Sequence, residues 1–381
     1  MAGIRELAGV WKNIKEIDLR PFSAEAERGV KIALLGHRPD RLGFLADQMR
    51  RDPSRREINT QSPVLLVDLH AETDLQAKLK EASQADLIIY LRQAPDQPPA
   101  WLGEWLISAP GPCLVIDEPA DHGQPGQANP PEGGMNWSKR RVIAGSFDSP
   151  GFLQQEFVPT VLALLPERHL ALGRHFPLFR VPIAQKLIQD TCLSNAAYSL
   201  STGIAEIVPV FDLPLNITDM VILSKTQAFL VYKLGLALGF TTRWQEYLAE
   251  FGSVLGGGFV WRQIARQLVG LIPAWGIIPK VAVAYAGTYV VGNVVLQWYL
   301  TGRKVSRAQM RQLYGQAFAR GKRLASNMAA RLPPRRSRRS QPPVLPETET
   351  GRKCPQCGRL SAADALFCQY CAASLEPGAA E

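Results

Sequence analysis

The sequence predicts an α/β domain with a mainly parallel sheet, followed by an α-helical domain and a small cysteine-rich module. Three observations support this order. Five short apolar segments alternate with polar or amphipathic stretches between residues 30 and 145, which is typical of buried parallel strands connected by helices. Long helical segments follow from about residue 182, and two Cys-x-x-Cys pairs lie near the end of the sequence. A chain of 381 residues has room for two or three domains.

The first part of the chain is predicted to begin with an amphipathic helix in residues 1–28, because apolar side chains recur there at helical spacing. We assign the α/β domain to residues 29–166. Its predicted strands are Val30–Gly36 and residues 64–69, 86–91, 113–117 and 141–145. Residues 119–139 are rich in Pro, Gly, Asn and Asp and predict a loop, and residues 151–165 predict the last helix of this domain.

The second part is predicted to be an α-helical domain over residues 182–332. Its expected helices are residues 182–208, 216–239, 243–270, 279–300 and 306–332. Residues 333–350 have the composition of a basic, Pro-rich linker, and residues 351–376 form the cysteine module. Residues 1–20 lack the apolar core of a signal peptide, so we expect the soluble parts to lie in the cytosol.

The cysteine module carries Cys354 and Cys357 in one pair and Cys368 and Cys371 in the other, with ten residues between the pairs. Four thiolates in two such pairs match the tetrahedral shell that structural Zn²⁺ prefers. Two disulfides or a redox dithiol are the alternatives. With four cysteine ligands no position is open for substrate, so the predicted Zn²⁺ is structural. The segment resembles zinc-ribbon domains appended to many bacterial proteins, which implies a binding module for an unidentified protein partner.

The first predicted strand ends at Gly36, where a nucleotide-binding phosphate loop would begin. That loop needs the pattern GxxxxGK[ST], because glycine amides surround the phosphates, Lys neutralises them and a hydroxyl binds Mg²⁺. Counted from Gly36, Arg41 replaces the second Gly, Leu42 replaces the Lys and Gly43 replaces the hydroxyl. We therefore expect no hydrolytic activity and no small-molecule substrate.

The order of elements over residues 29–166 nevertheless resembles an Era-like GTPase domain, here in a degenerate form. The resemblance implies residual nucleotide or Mg²⁺ contacts, for which Gly36, Arg41, Asp68 and Asp121 are the weak candidates, together with Asp117. The alternative is that these carboxylates simply face solvent at strand ends. A divergent GTP-binding protein is therefore one alternative function.

The helical part resembles the domain of unknown function that follows Era-like GTPase domains in bacterial membrane-associated proteins of the YcjF type. This resemblance implies membrane association more than any activity. The residues that carry it are Pro209–Pro214, Thr218–Met220, Gln227, Leu271–Gly276, Ala286–Gly292 and Tyr299, with Lys15–Pro21 ahead of the first strand.

A run of 22 residues, Val281–Gly302, contains no charge and is long enough to span a bilayer. The alternative is the central helix of a soluble bundle, which is apolar all round because other helices surround it. The basic residues that follow predict a cytosolic C-terminal side, as does the N-terminal domain, and one crossing cannot satisfy both. Either a hairpin dips into the bilayer or the helices lie at its surface.

The positive charge is concentrated in one segment. Residues 302–346 contain twelve Lys or Arg and no acidic residue, whereas the net charge of the whole chain is only +9. This segment has three interpretations: contact with anionic lipid, nucleic-acid binding together with the ribbon, or a solvated spacer. We favour lipid, because the cluster follows an apolar helix directly.

These observations predict a non-enzymatic regulatory or scaffold protein at the cytoplasmic side of the cell membrane, with its zinc ribbon in the cytosol. The alternatives are the divergent GTP-binding protein and a nucleic-acid-binding adaptor that uses the basic segment and the ribbon.

Overall fold

The computed structural model describes residues 19–52, 62–70, 74–94, 98–119, 140–205, 217–243, 277–303, 305–330 and 352–361, with Cys368, Ala373 and Leu375. The helices predicted before residue 19 and over residues 243–270, and the linker 333–350, lie outside these residues. The chain divides into two compact units. The α/β unit comprises residues 19–185 and 235–242, and the second unit comprises residues 1–18, 186–234 and 243–381.

A five-stranded sheet in the order β2-β1-β3-β4-β5 forms the centre of the α/β unit, and all four strand pairings are parallel. This confirms the predicted parallel α/β sheet. Its strands are β1 (Ile32–Gly36), β2 (Val64–Asp68), β3 (Leu87–Ala94), β4 (Cys113–Pro119) and β5 (Arg141–Ala144). The order is one of the two common orders of doubly wound sheets, in which ligands bind at the carboxyl ends of strands where the order reverses. Here that point lies between β1 and β3.

Helices accompany the strands in the α/β unit. They are α1 (Arg20–Glu27), α2 (Pro39–Arg50), α3 (Leu75–Ala82), α4 (Ala100–Ser108), α5 (Pro150–Phe152), a π-helical turn (Leu153–Phe157), α6 (Val158–Leu164) and α7 (His169–His175). Every residue of β1 is buried, as expected for a central strand with helices on both faces. Tight packing of this kind needs continuous apolar strands, which is the pattern that the sequence shows.

Four long helices carry the rest of the described chain up to residue 330. They are α8 (Arg180–Ala205), α9 (Ile217–Ala237), α10 (Ile277–Thr301) and α11 (Arg307–Ala330). In the second unit, a buried polar network joins three of them. The Nδ2 of Asn195 in α8 donates to the hydroxyl of Thr288 in α10 at 2.8 Å, and the hydroxyl of Thr226 in α9 donates to Asn195 Oδ1 at 2.9 Å. These bonds satisfy polar groups that are costly to bury alone.

Helix α10 is the apolar helix that the sequence singled out. Its segment Lys280–Thr301 is the one described helix long and apolar enough to cross a membrane, with a mean hydropathy of 1.2 and 67% of the window buried within the protein. From Val281 to Leu300 every side chain is buried or half-buried. Length and composition of this kind also fit a core helix, and membrane insertion remains a prediction.

Helices α10 and α11 approach each other closely through small residues. A Cβ atom at Gly321 of α11 would lie 2.9 Å from the Cα and 3.0 Å from the carbonyl oxygen of Ala282 in α10. Both of these atoms belong to the backbone, so neither can rotate away. Gly315 lies on the exposed side of the same helix, and a Cβ there would meet nothing within 4 Å.

The two glycines therefore give a matched pair of substitutions. Gly321→Ala is expected to lower the free energy of unfolding by about 1–3 kcal/mol through overpacking, even though Ala favours the helix. Gly315→Ala is expected to raise it by about 0.5–1 kcal/mol, because only the helix propensity changes. Urea or thermal unfolding of the full chain measures both. Equal and stabilising effects would show that α11 does not pack against α10 at Gly321.

Candidate metal centre and the carboxyl edge of the sheet

A short hairpin presents the first cysteine pair. Strand β6 (Arg352–Lys353) pairs with β7 (Leu360–Ser361) in antiparallel fashion. In the turn between them the N–H of Cys354 donates to the carbonyl of Arg359 at 2.8 Å, and the N–H of Gly358 donates to the carbonyl of Cys354 at 2.9 Å. Gly358 has a φ of +71°, which favours glycine because it has no Cβ. The turn therefore fixes Cys354 and Cys357 on a rigid loop.

A third cysteine meets this pair. The Sγ atoms of Cys354, Cys357 and Cys368 all lie within 4.8 Å of one another, and those of Cys357 and Cys368 are 3.5 Å apart. Sulfur atoms around a tetrahedral Zn²⁺ at about 2.3 Å would be separated by about 3.8 Å. A disulfide needs about 2.05 Å, which is far shorter than the 3.5 Å between Cys357 and Cys368. The three cysteines could therefore hold a metal ion; Cys371 lies outside the described residues.

The surroundings of the cluster suit an ion with several thiolates. Cys354 and Cys368 are buried beside Leu375 and Ala373, and the N–H of Cys368 donates to the carbonyl of Ala373 at 2.7 Å. The hairpin also carries the exposed side chains of Arg352, Lys353 and Arg359. Their positive charge offsets the negative charge that thiolates would bring.

At the carboxyl edge of the sheet, side chains pack closely around Gly36, the residue after which the sequence lacks the phosphate-loop pattern. Leu42, which stands where a phosphate-binding Lys would stand, is only 1% exposed. A Cβ at Gly36 would lie 3.1 Å from Cδ2 of Leu42 and 3.2 Å from the carbonyl oxygen of Leu91. Leu42 and the backbone of β3 therefore pack closely around Gly36.

Arg41 is held by two carboxylates. Its guanidinium donates twice to Glu118, with an Nε to Oε2 distance of 3.0 Å, and once to Asp148 Oδ2 at 3.2 Å. The hydrogen bonds to Glu118 raise the pKa of Arg41, although burial opposes them. The candidate anion ligand is therefore engaged with acidic side chains from the end of β4 and from the segment after β5.

A second pair of charges lies beside the first. The guanidinium of Arg92 on β3 donates to both oxygens of Asp117 on β4, at 2.7 and 2.5 Å, and each side chain is only 7% exposed. The two residues are direct partners in the β3–β4 register. A bidentate pair satisfies both planar groups at once, so Asp117 is a partner of Arg92 in the core.

Asp68 lies at the same edge, as the register partner of Gly36 in the β1–β2 pairing. Its Oδ1 accepts a hydrogen bond from the backbone N–H of His70 at 2.9 Å, which is a local turn contact. Asp121 lies outside the described residues. The structure thus brings Gly36, Arg41, Asp68 and Asp117 to one edge. Sequence analysis did not single out the partners Arg92, Glu118 and Asp148. A charged residue directly after an apolar strand is a signal that could have drawn attention to Arg92 and Glu118.

Comparison of the chain with protein-family models, with curated proteins and with solved structures found no match. The function must therefore be argued from the side chains described above.

Retention of a metal ion by the cysteine cluster should depend on each cysteine ligand. We expect Cys354→Ser to lose the bound metal, whereas Cys192→Ala should keep it. Cys192 is a suitable control because it is fully buried elsewhere and burial raises the pKa of its thiol to about 12. Elemental analysis of both purified full-length variants gives the answer, and equal metal content in the two would rule out the site. Since cysteine thiols must lose their protons to bind a metal as thiolates, metal retention should fall as the pH is lowered.

Because Arg92 and Asp117 form a buried pair, we expect their substitutions to have non-additive effects on the free energy of unfolding. Arg92→Met alone leaves a buried carboxylate without its partner, which should lower the free energy of unfolding by about 3–5 kcal/mol. The double variant Arg92→Met with Asp117→Leu removes both charges and should recover most of that loss. Urea unfolding of the wild type, the single variants Arg92→Met and Asp117→Leu, and the double variant gives the coupling free energy. Strictly additive losses would contradict a buried, interacting pair.

Proposed function

We propose that this chain is a non-enzymatic scaffold or regulatory protein at the cytoplasmic side of a membrane, in which a pseudo-GTPase domain serves as a binding surface. The observation that carries the proposal is the packing of Leu42 against Gly36, since a buried apolar side chain stands where a nucleotide-binding protein needs a Lys to neutralise the phosphates. Similarity in the order of elements to Era-like GTPase domains suggests the origin of this domain.

Electrostatics at the start of α2 support the same conclusion. The N-terminus of a helix attracts anions, because its free N–H groups and its dipole are positive. In this chain Asp40 already stands in the first turn of α2, and its hydrogen bond with Arg38 lowers the pKa of its carboxyl group. A carboxylate at this position supplies the negative charge that the helix end favours and repels a phosphate.

The ion pairs of Arg41 are a further obstacle to phosphate binding. For Arg41 to reach a phosphate, it would have to leave Glu118 and Asp148. Two carboxylates would then face the incoming anion without their partner, which is unfavourable in a partly buried setting. The edge is therefore stable as a closed, charge-paired surface, which suits a role in protein binding.

We propose Zn²⁺ as the ion of the cysteine cluster, with Cys371 as the fourth ligand and a structural role. Zn²⁺ prefers tetrahedral thiolate sites, and a module with so small a core depends on its metal for folding. The exposed side of the hairpin supports a role in partner binding. Leu360 on β7 is 62% exposed, and it lies beside the basic side chains of Lys353 and Arg359.

The test of the pseudo-GTPase proposal is nucleotide turnover and binding by the full chain in the presence of Mg²⁺. We expect no hydrolysis of GTP or ATP and no increase in melting temperature with either, because the groups that stabilise phosphoryl transfer are absent. Arg41→Ala and Asp68→Ala serve as paired variants. Turnover that disappears in either variant would overturn the proposal and favour the divergent GTP-binding protein.

A further inference from the structure

Helix α11 presents two different faces. Its inner face packs on α10 through small and apolar residues, among them Ala317, Gly321 and Ala325, which are buried. The rest of its surface, the outer face, carries the exposed side chains of Arg311, Arg320, Lys322 and Arg323. These side chains are spread over about half of the helix circumference, and the guanidinium of Arg320, at one border, lies 6.0 Å from the ring centroid of Tyr289 on α10. At 1.5 Å per residue these four positions extend over about 18 Å of helix.

The outer face is positive without local compensation. Within the described residues no ion pair involves any of these four side chains, and residues 302–346 contain no Asp or Glu at all. Like charges on adjacent turns repel one another. A surface of this kind is stabilised by a partner that brings negative charge.

The outer face also lacks an apolar anchor. The large apolar side chains that are exposed in the described residues are Leu66, Trp101, Ile107 and Leu360, and none of them belongs to α11. Between the basic residues lie small or uncharged ones, such as Gly315, Gln316 and Ala319. The face is therefore suited to electrostatic contact and offers nothing to insert into a hydrophobic groove or bilayer core.

Two features favour lipid head groups over nucleic acid as the source of negative charge. The aromatic residues of α11, Tyr314 and Phe318, stack on each other and are half-buried, so they present no open platform for bases, as single-strand binding requires. The segment after α11 contains five more arginines between residues 331 and 339, which adds positive charge to the chain directly after the helix.

We propose that the outer face of α11 binds anionic lipid head groups, so that the protein attaches to the membrane surface peripherally while α10 stays in the protein core. This inference depends on the membrane association in the proposed function and specifies its site. It also removes the conflict over topology, because α10 does not have to cross the bilayer.

The experiment is co-sedimentation of the full-length protein with vesicles of phosphatidylcholine alone or of phosphatidylcholine mixed with phosphatidylserine. The test variant changes Arg311, Arg320, Lys322 and Arg323 to Gln. The control variant changes Arg28, Arg51, Lys80 and Arg141 to Gln, which removes the same net charge from exposed positions of the α/β unit. Circular dichroism and melting temperature confirm that both variants fold.

Wild-type protein should bind only the vesicles with phosphatidylserine and should come off at high salt, because salt screens charges. Each basic side chain near the surface contributes about fivefold to partitioning, so the test variant should bind more than about a hundredfold more weakly. The control variant should bind nearly as the wild type does.

Three results would overturn the inference. Salt-resistant binding to both kinds of vesicle, unchanged in the test variant, would locate the attachment in α10 and leave the membrane association intact. Binding to neither kind would refute the membrane association as well. If the protein ignores vesicles but binds a short duplex DNA or RNA through the same four side chains, the outer face of α11 is a nucleic-acid surface.

Discussion

The parallel pairing of β1 with both of its neighbours determines the arrangement of charges in the α/β unit. Because β1, β3 and β4 run in the same direction, their carboxyl ends meet at one edge. The side chains that follow each strand are then neighbours in space. In a nucleotide-binding protein of this architecture the edge stays open for a ligand. Here the residues at the edge satisfy one another, with Leu42 against Gly36 and Arg41 against Glu118.

The same requirement, that buried polar groups find partners, also shapes the second unit. Asn195 and Thr288 are almost completely buried, and each is satisfied by a residue on another helix. Apolar packing alone would allow helices to slide or rotate, whereas a hydrogen bond between fixed positions selects one register. The network thus selects one arrangement of α10 against α8 and α9.

Much of the fold could be predicted from local patterns, and the reasons are physical. Continuous apolar runs such as the one at β1 reflect burial on both faces, and this property is visible within a few residues of sequence. The spacing of Cys354, Cys357 and Cys368 likewise predicted that they meet, since a short turn brings each pair together. Pairs such as Arg41 with Glu118 could not be predicted, because these residues lie 77 positions apart in the chain and only the sheet order makes them neighbours.

The apolar helix α10 shows a second limit of sequence analysis, which concerns the surroundings of a helix and not its residue partners. Composition is the same for a helix surrounded by protein and for one surrounded by lipid, so the run from Val281 to Gly302 allowed both interpretations. The neighbouring helix provides the further evidence. Helix α11 is amphipathic. Its inner face consists of small residues that pack against protein, and its outer face carries positive charge, which an anionic surface stabilises. If α10 were in the lipid core, α11 packed along it would carry four cations into that core at high cost. In the proposed attachment through α11, the close contact at Gly321 keeps the two helices outside the bilayer core together.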